Sequence, residues 1–279
     1  MTSSMRTFGL MTALTVLFVW VGGAMGGQNG AIIALIFAGG MNFFSYWFSD
    51  KMVLKRYRAE EVGSDHPSGL YQMVERLAIN AELPMPKVYI IPEDTPNAFA
   101  TGRNPENAAV AATRGILRLL DEDELAGVMA HELAHVKHRD ILTSSVTATL
   151  AGAITAVTQF GRFMGGSSRN RNPIGGLLIL VGAPLVATVI RMGISRVREY
   201  EADRGGAEIS GQPLALANAL NKLQTGVAKY PLRNGNPAHS HMFIINPFLG
   251  LGGIQRLMTT HPPTDERIRR LEELSRQIA

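Results

Sequence analysis

His131-Glu132-Leu133-Ala134-His135 is the stretch on which the reading of this chain turns. On a helix, positions i and i+4 stand one turn apart on the same face, so both imidazoles can reach one metal ion. Glu132 lies beside them and can accept a proton next to the metal without being a ligand. The flanks favour the helix. Asp121, with Glu124 three residues on, reads as an N-cap and its reciprocal partner, and Leu125, Val128, Met129 and Leu133 form an apolar stripe. Just beyond, Ile141 opens a long apolar run, which sets the metal site at a membrane surface.

The 279 residues suffice for one large domain or two modest ones. Residues 7–25 and 31–48 carry no charge, and each stretch is about long enough to cross a ~30 Å hydrocarbon layer as a helix. Trp20, Phe43, Phe44, Tyr46 and Trp47 add aromatic residues, the last four near an expected interface. The uncharged, glycine-rich 22–30 between the two runs makes a tight turn, so 1–50 reads as a transmembrane hairpin. A cleaved signal peptide is the competing reading of 7–25, with Arg6 as a meagre basic start and Ala24-Met25-Gly26 as a weak cleavage site. The second apolar run, following almost at once, favours a retained anchor. After the metal motif come 141–160, diluted by hydroxyl residues, and 174–190, which contains Pro184. Each can be a span or a helix buried against the first pair. Spans are the expectation, giving four hydrophobic helices.

Lys51, Lys55, Arg56 and Arg58 follow the hairpin directly, whereas its turn is uncharged, so the segment from residue 51 onward is expected in the cytoplasm. Arg162, Arg169 and Arg171, in the link 161–173, run against that assignment if both later runs cross. The cluster at 51–58 suits anionic lipid headgroups, and the bilayer is the expected partner. With no cysteine, the chain has no disulfide, thiolate metal site or thiol nucleophile of its own. The net charge of +4 is accounted for by juxtamembrane and helix-face Lys and Arg, and no stripe suits nucleic acid.

Apolar spacing predicts a helix over 67–82. Residues 87–91, between Pro86 and Pro92, read as a strand, and 97–102 and 108–113 as two more joined by the turn-rich 103–107. Helices are expected over 195–210, 214–223 and 268–278, with irregular chain over 224–253. The polar parts 51–140 and 195–279 each look incomplete. One domain built from both, with 141–194 inserted between them, fits better than two domains.

A catalytic zinc usually takes three protein ligands. His138 shares a face with His131 and His135, but three ligands on one straight helix rarely converge on a tetrahedral ion. A ligand six residues after the second histidine would be Ile141, which excludes that arrangement. Glu199 is the better candidate: Glu199 and Asp203 are i and i+4, so one carboxylate can bind the ion while the other supports the site. On spacing alone Glu201 competes, and so does a solvated acidic helix face.

The His-Glu-x-x-His helix after a double membrane span, then Glu199-x-x-x-Asp203, then His261-Pro262-Pro263-Thr264-Asp265-Glu266-Arg267, together resemble the HtpX family over nearly the whole chain. Those are bacterial and archaeal membrane zinc metalloproteases related to the CAAX prenyl proteases. The resemblance implies an α+β, mostly helical, zincin-like domain with a short sheet beside the active-site helix. It implies one zinc ion held by His131, His135 and Glu199, with Asp203 buttressing the ligands and paired with Arg267. His261 resembles the position that stabilises the oxyanion. Asn97, Ala98, Phe99, Ala100, Thr101 and Gly102 resemble the edge strand that holds an extended substrate by main-chain bonding. On their own surroundings, His261 reads as a loop or helix-start histidine and Arg267 as a solvated charge. The expected activity is endopeptidase cleavage of misfolded or damaged membrane proteins under stress, by a multi-pass protein of the cytoplasmic membrane whose active site faces the cytoplasm. A narrow-specificity processing protease of the prenyl type is the enzymatic rival, although its enclosed chamber needs more membrane helices than this chain offers. A non-catalytic membrane interaction protein with a vestigial metal site is the other; the intact His131, Glu132, His135 and Glu199 argue against it.

Overall fold

In the computed structural model, which describes residues 3–147, 149–151, 196–229, 244 and 262–278, the N-terminal stretch forms α1 (Ser3–Arg56), whose helical backbone breaks at Gly26 and Gly27. Gly27, at φ 60° and ψ −146°, takes a conformation that side chains resist. The two legs fold back on each other. Phe18 meets Phe37 edge-on at 6.0 Å, and Asn42 Nδ2 donates to Thr15 Oγ1 at 2.9 Å. The expected hairpin is present, but its second leg, Gly26–Arg56, runs past the predicted end at Phe48. This leg is, among the described residues, the helix long and apolar enough to cross a membrane. Its Ile33 and Ile36 are 68% and 71% exposed, an arrangement suited to lipid rather than to water.

The chain continues through β1 (Glu60–Glu61), α2 (Leu70–Asn80), β2 (Lys87–Ile91), β3 (Ala98–Gly102), a 3-10 turn at Pro105–Asn107, β4 (Ala108–Thr113), α3 (Arg114–Leu119) and α4 (Glu122–Lys137). Then come α5 (Ile141–Ala151), α6 (Arg196–Ser210), α7 (Pro213–Lys229) and α8 (Thr264–Ile278). The strands form one mixed sheet in the order β1-β2-β4-β3, with β2 and β4 parallel and the outer pairs antiparallel.

Alternate residues of this sheet serve two different cores. Val88, Ile90, Ala98, Ala100, Val110 and Ala112 face α2, α4, α6 and α7. Ile91, Phe99, Ala109 and Ala111 face Val53, Leu54 and Tyr57 at the end of α1 and just beyond it. A sheet covered on both faces needs no polar alternation, which explains the run Ala108-Ala109-Val110-Ala111-Ala112. A third apolar cluster joins Leu10, Met11 and Leu14 of α1 to Leu142, Val146 and Leu150 of α5.

The three predicted strands are present, and so are the helices expected over 67–82, 195–210, 214–223 and 268–278, with shifted ends; of the run 141–160 only the part up to Ala151 is described. The strand β1 and the short helix α3 are additional. Residues 224–229, expected to be irregular, continue α7 because Gly226 packs against Leu119 of α3. The link 161–173, the run 174–190 and most of 230–261 lie outside the described residues.

Helices α4 and α6 cross with almost nothing between them. A Cβ at Gly206 would stand 2.8 Å from both the Cα and the N of His131, atoms that cannot yield as a flexible side chain can. Gly206→Ala is therefore expected to lower stability by about 1–3 kcal/mol through overpacking. Gly63→Ala, where a Cβ meets no atom within 4 Å, should be close to neutral. Denaturant midpoints of the detergent-solubilised variants check the contrast.

Candidate metal centre

The helix that carries the motif is set by its start. Asp121 Oδ1 accepts from the Glu124 backbone N–H at 3.0 Å, and Glu124 Oε2 accepts from the Asp121 backbone N–H at 3.1 Å, so the expected capping box is formed. Glu122, Asp123 and Glu124 also place negative charge at the positive end of the helix. At the other end, Arg139 takes φ 58° and turns the chain so that the Asp140 N–H donates to the His135 carbonyl at 2.9 Å.

His131 and His135 stand with ring centroids 4.8 Å apart and nearly perpendicular planes. Both Nε2 atoms face Glu199 of α6: His131 Nε2 is 3.9 Å from Oε2 and His135 Nε2 is 3.7 Å from Oε1. These gaps are too long for hydrogen bonds. They are close to the ~3.4 Å that two ligands at ~2.1 Å subtend across a tetrahedral ion. Among the described residues, His131, His135 and Glu199 are the group able to hold a metal, one donor atom from each lying within 4.8 Å of the others. Glu201 is exposed, and so is His138, so neither spacing-level competitor joins the cluster.

Each imidazole has a carboxylate behind its Nδ1. Asp203 Oδ1 lies 3.0 Å from His131 Nδ1, close but out of hydrogen-bond alignment. Asp140 Oδ2 lies 3.5 Å from His135 Nδ1, at the outer limit of a hydrogen bond. Arg267 grips Asp203 through Nε to Oδ2 at 2.8 Å and Nη2 to Oδ1 at 2.6 Å. Arg198 Nη1 donates to Asp140 Oδ1 at 3.1 Å. Arg267 is only 1% exposed, so it is an interior ion-pair partner and not the solvated charge its surroundings in the sequence suggest. The Asp140–Arg198 pair is what sequence reasoning missed. Its only local signals are that Asp140 falls just past the motif helix and Arg198 just before Glu199.

Glu132 is buried, and its Oε2 accepts from the Ala100 N–H of β3 at 2.8 Å. Burial pushes its carboxyl up to about 7. Burial also takes His131 down to about 4, opposed by Asp203. At His135 burial is outweighed by the Asp140 contact and by the Glu199 and Glu132 charges, which raise it to about 9. At Asp203 burial is outweighed by the charge and hydrogen bonds of Arg267 together with the His131 contact, which hold it down at about 2. Among the described residues, four buried carboxylates (Glu132, Asp140, Glu199 and Asp203) meet two buried guanidinium groups, an excess of negative charge when both imidazoles are neutral. A divalent cation held by nitrogen and oxygen donors fits that excess. The protons on His135 and Glu132 offset the same charge in the metal-free cluster.

β3 lies at the free edge of the sheet, beside α4. The Asn97 carbonyl accepts from Thr113 N–H of β4, so Ala98, Ala100 and Gly102 turn their main-chain groups outward. Two of those N–H groups already have partners: Ala100 donates to Glu132, and Gly102 to Ser145 Oγ of α5 at 3.3 Å. Ser145 Oγ also contacts Thr101 Oγ1 at 2.7 Å, and Phe99 points away into the α1 core. Asn97 Oδ1 accepts from the Ile244 N–H at 3.1 Å. Every residue of 97–102 is buried. His261 lies outside the described residues.

The family model for Peptidase family M48 matches residues 65–275. A protease HtpX homolog of Burkholderia multivorans is 58% identical over 276 residues, covering 97% of this chain and 96% of that protein. One from Methylibium petroleiphilum is 59% identical over 272 residues, covering 96% of each. The crystal structure of Ste24p from S. mikatae superposes with a TM-score of 0.53 at 16% identity, over 96% of this chain. The chain spans 65% of the length of that protein, and the likeness is one of fold.

Arg267→Met would strand Asp203 as an uncompensated buried charge and is expected to cost about 3–5 kcal/mol. Arg267→Met/Asp203→Leu should recover much of the loss. Equilibrium unfolding of these two variants and of Asp203→Leu, compared with the parent as a double-mutant cycle, checks this.

Proposed function

The chain belongs to peptidase family M48 and is a metallopeptidase, and from that premise we propose that it is a membrane-bound, zinc-dependent endopeptidase that cleaves misfolded or damaged membrane proteins in stress-response quality control, with its site on the cytoplasmic side. The observation that carries the reading is the buried Glu132 carboxylate beside three convergent donor groups, His131, His135 and Glu199.

In this reading His131, His135 and Glu199 hold one zinc ion, and Asp203, fixed by Arg267, orients His131. Zinc bound there would lower the pKa of a water molecule toward ~7 and polarise the scissile carbonyl. Glu132 takes the proton of the attacking water and passes it to the leaving amine. The Ala100 N–H holds Oε2 of Glu132, and we assign the proton to Oε1. His261 donates to the developing oxyanion. The edge strand with Asn97, Ala98, Phe99, Ala100, Thr101 and Gly102 receives an extended polypeptide; its place at the sheet edge beside Glu132 supports this, and its burial means that neighbouring chain must part first.

Residues 51–140 and 195–279 form one catalytic unit, a reading supported by the single core that α2, α4, α6 and α7 share with Leu271 of α8. Residues 1–50 and 141–194 supply four membrane helices. The apolar hairpin of α1 and the packing of α5 against it support that layout. The cluster Lys51, Lys55, Arg56 and Arg58 supports the cytoplasmic orientation.

Casein hydrolysis by the zinc-loaded, detergent-purified protein tests the activity. Glu132→Gln is expected to lower cleavage by about 10²–10⁴-fold while retaining zinc. Glu199→Ala should lose both zinc and cleavage. A Glu199→Ala protein that still holds one zinc per chain would remove Glu199 from the ligand set. A zinc-loaded parent that cleaves no unfolded polypeptide would favour narrow specificity or a non-catalytic role.

The absence of native cysteine makes topology directly readable. A cysteine at Gln28 should react with an impermeant maleimide from outside intact cells, and one at Lys55 only after permeabilisation. The opposite pattern would reverse the orientation.

A further inference from the structure

The two sides of the metal centre are built alike. His131 turns Nε2 to Glu199 and Nδ1 to Asp203, which Arg267 holds. His135 turns Nε2 to Glu199 and Nδ1 to Asp140, which Arg198 holds. A carboxylate behind Nδ1 keeps the proton on that nitrogen and leaves the Nε2 lone pair to face an ion. Asp140 is 3% exposed and Arg198 9%, so neither is a surface charge that happens to lie nearby.

The position of the pair in the chain is equally informative. Asp140 immediately precedes α5, and Arg198 lies in the first turn of α6. Their hydrogen bond joins residues 58 apart in sequence. The two ends of the hydrophobic insertion are thus fastened together at the ligand His135. Arg198 is also the direct chain neighbour of Glu199, so one ion pair bears on two of the three donor groups.

We infer that Asp140, held by Arg198, is a positioning residue that orients His135 for the metal and ties the base of the inserted hydrophobic segment to the metal centre. This rests on His131, His135 and Glu199 being metal ligands, as proposed above. It adds a second aspartate–arginine support, at His135, beside the one that Asp203 and Arg267 give His131. Isolated fastening of two chain ends would not require Asp140 Oδ2 to be turned on His135 Nδ1, and that contact is what the inference uses.

The test uses the full-length protein in detergent, with zinc as the probe and a competing chelator to read affinity. Cobalt(II) absorption reads the ligand field independently of any activity. Asp140→Asn is expected to weaken zinc binding by about 10–100-fold, the range seen when groups behind metal ligands are removed. It should also shift the cobalt bands. Because that variant leaves Arg198 without its carboxylate, Asp140→Asn/Arg198→Gln is made alongside it; both groups are then neutral, and the same weakening and shift are expected. Arg76→Gln, which breaks an exposed ion pair with Glu122 on α4, serves as control and should leave both readings unchanged. Parental zinc affinity in the double variant overturns the inference. Weaker zinc with unaltered cobalt bands overturns it as well, since the pair would then act on folding alone. Metal uptake by the parent and its loss in His135→Ala keep the two readings apart: a parent that takes up no zinc sinks the metal site itself, and this inference with it.

Discussion

Two imidazoles from one helix and a carboxylate from another can face each other inside this fold because α6 rests directly on the backbone of α4. The contact is between Gly206 and the main chain of His131, with no side chain separating them. Seven residues earlier on α6, about two turns away, Glu199 comes opposite both Nε2 atoms, and Asp203, one turn closer, comes behind His131. A second close crossing, where a Cβ at Gly127 would meet Leu216 N at 2.9 Å, presses α7 against the same helix. The sheet closes the remaining side through Ala100. α6, α7 and β3 therefore each approach α4 at a position that lacks a side chain or offers a main-chain donor. The donor atoms are placed by backbone proximity more than by side-chain reach.

That closeness imposes an electrostatic requirement. Charges brought this near one another in a dry interior are strongly unfavourable unless paired, and four carboxylates surround two imidazoles here. Arg267 and Arg198 offset part of the burden, one from α8 and one from α6. The remainder, acting through Asp140, Glu199 and Glu132, keeps the proton on His135, whereas burial itself raises Glu132 and lowers His131. The same imbalance that would destabilise a metal-free interior would favour a divalent ion in that place. Stability and cofactor demand arise from one charge distribution.

Features written locally were legible in the sequence. Asp121 and Glu124 announce α4, the glycines at 26 and 27 announce the hairpin, and Pro86 and Pro92 bracket β2. β1 was not legible because two glutamates carry no periodicity, and α3 because six residues are too few to show one; the Thr113 cap that starts α3 is visible only afterwards. Glu199 and Glu201 could not be separated by spacing, since both precede Asp203 on the same helix. Burial of one and exposure of the other depend on which face of α6 meets α4. Asp140 and Arg198 were out of reach for a different reason. Their encounter depends on how the chain between them returns, and the left-handed residue Arg139 that aims Asp140 inward has no signature of its own.

The second leg of α1, Gly26–Arg56, has 31 residues and beyond its break at Gly26 and Gly27 runs as one helix, roughly 43 Å long at 1.5 Å per residue. Roughly a third of it stands clear of a ~30 Å hydrocarbon layer. Val53 and Leu54, near its end, are packed into the sheet that includes the edge strand. Side-chain packing thus joins this helix to the sheet, and the Ala100 N–H joins the sheet to Glu132. A bilayer that thins or thickens changes the angle of such a helix. With α1 in a bilayer, as proposed above, a change in its tilt would be felt at Glu132 through Ala100, with no lipid near the metal-binding group.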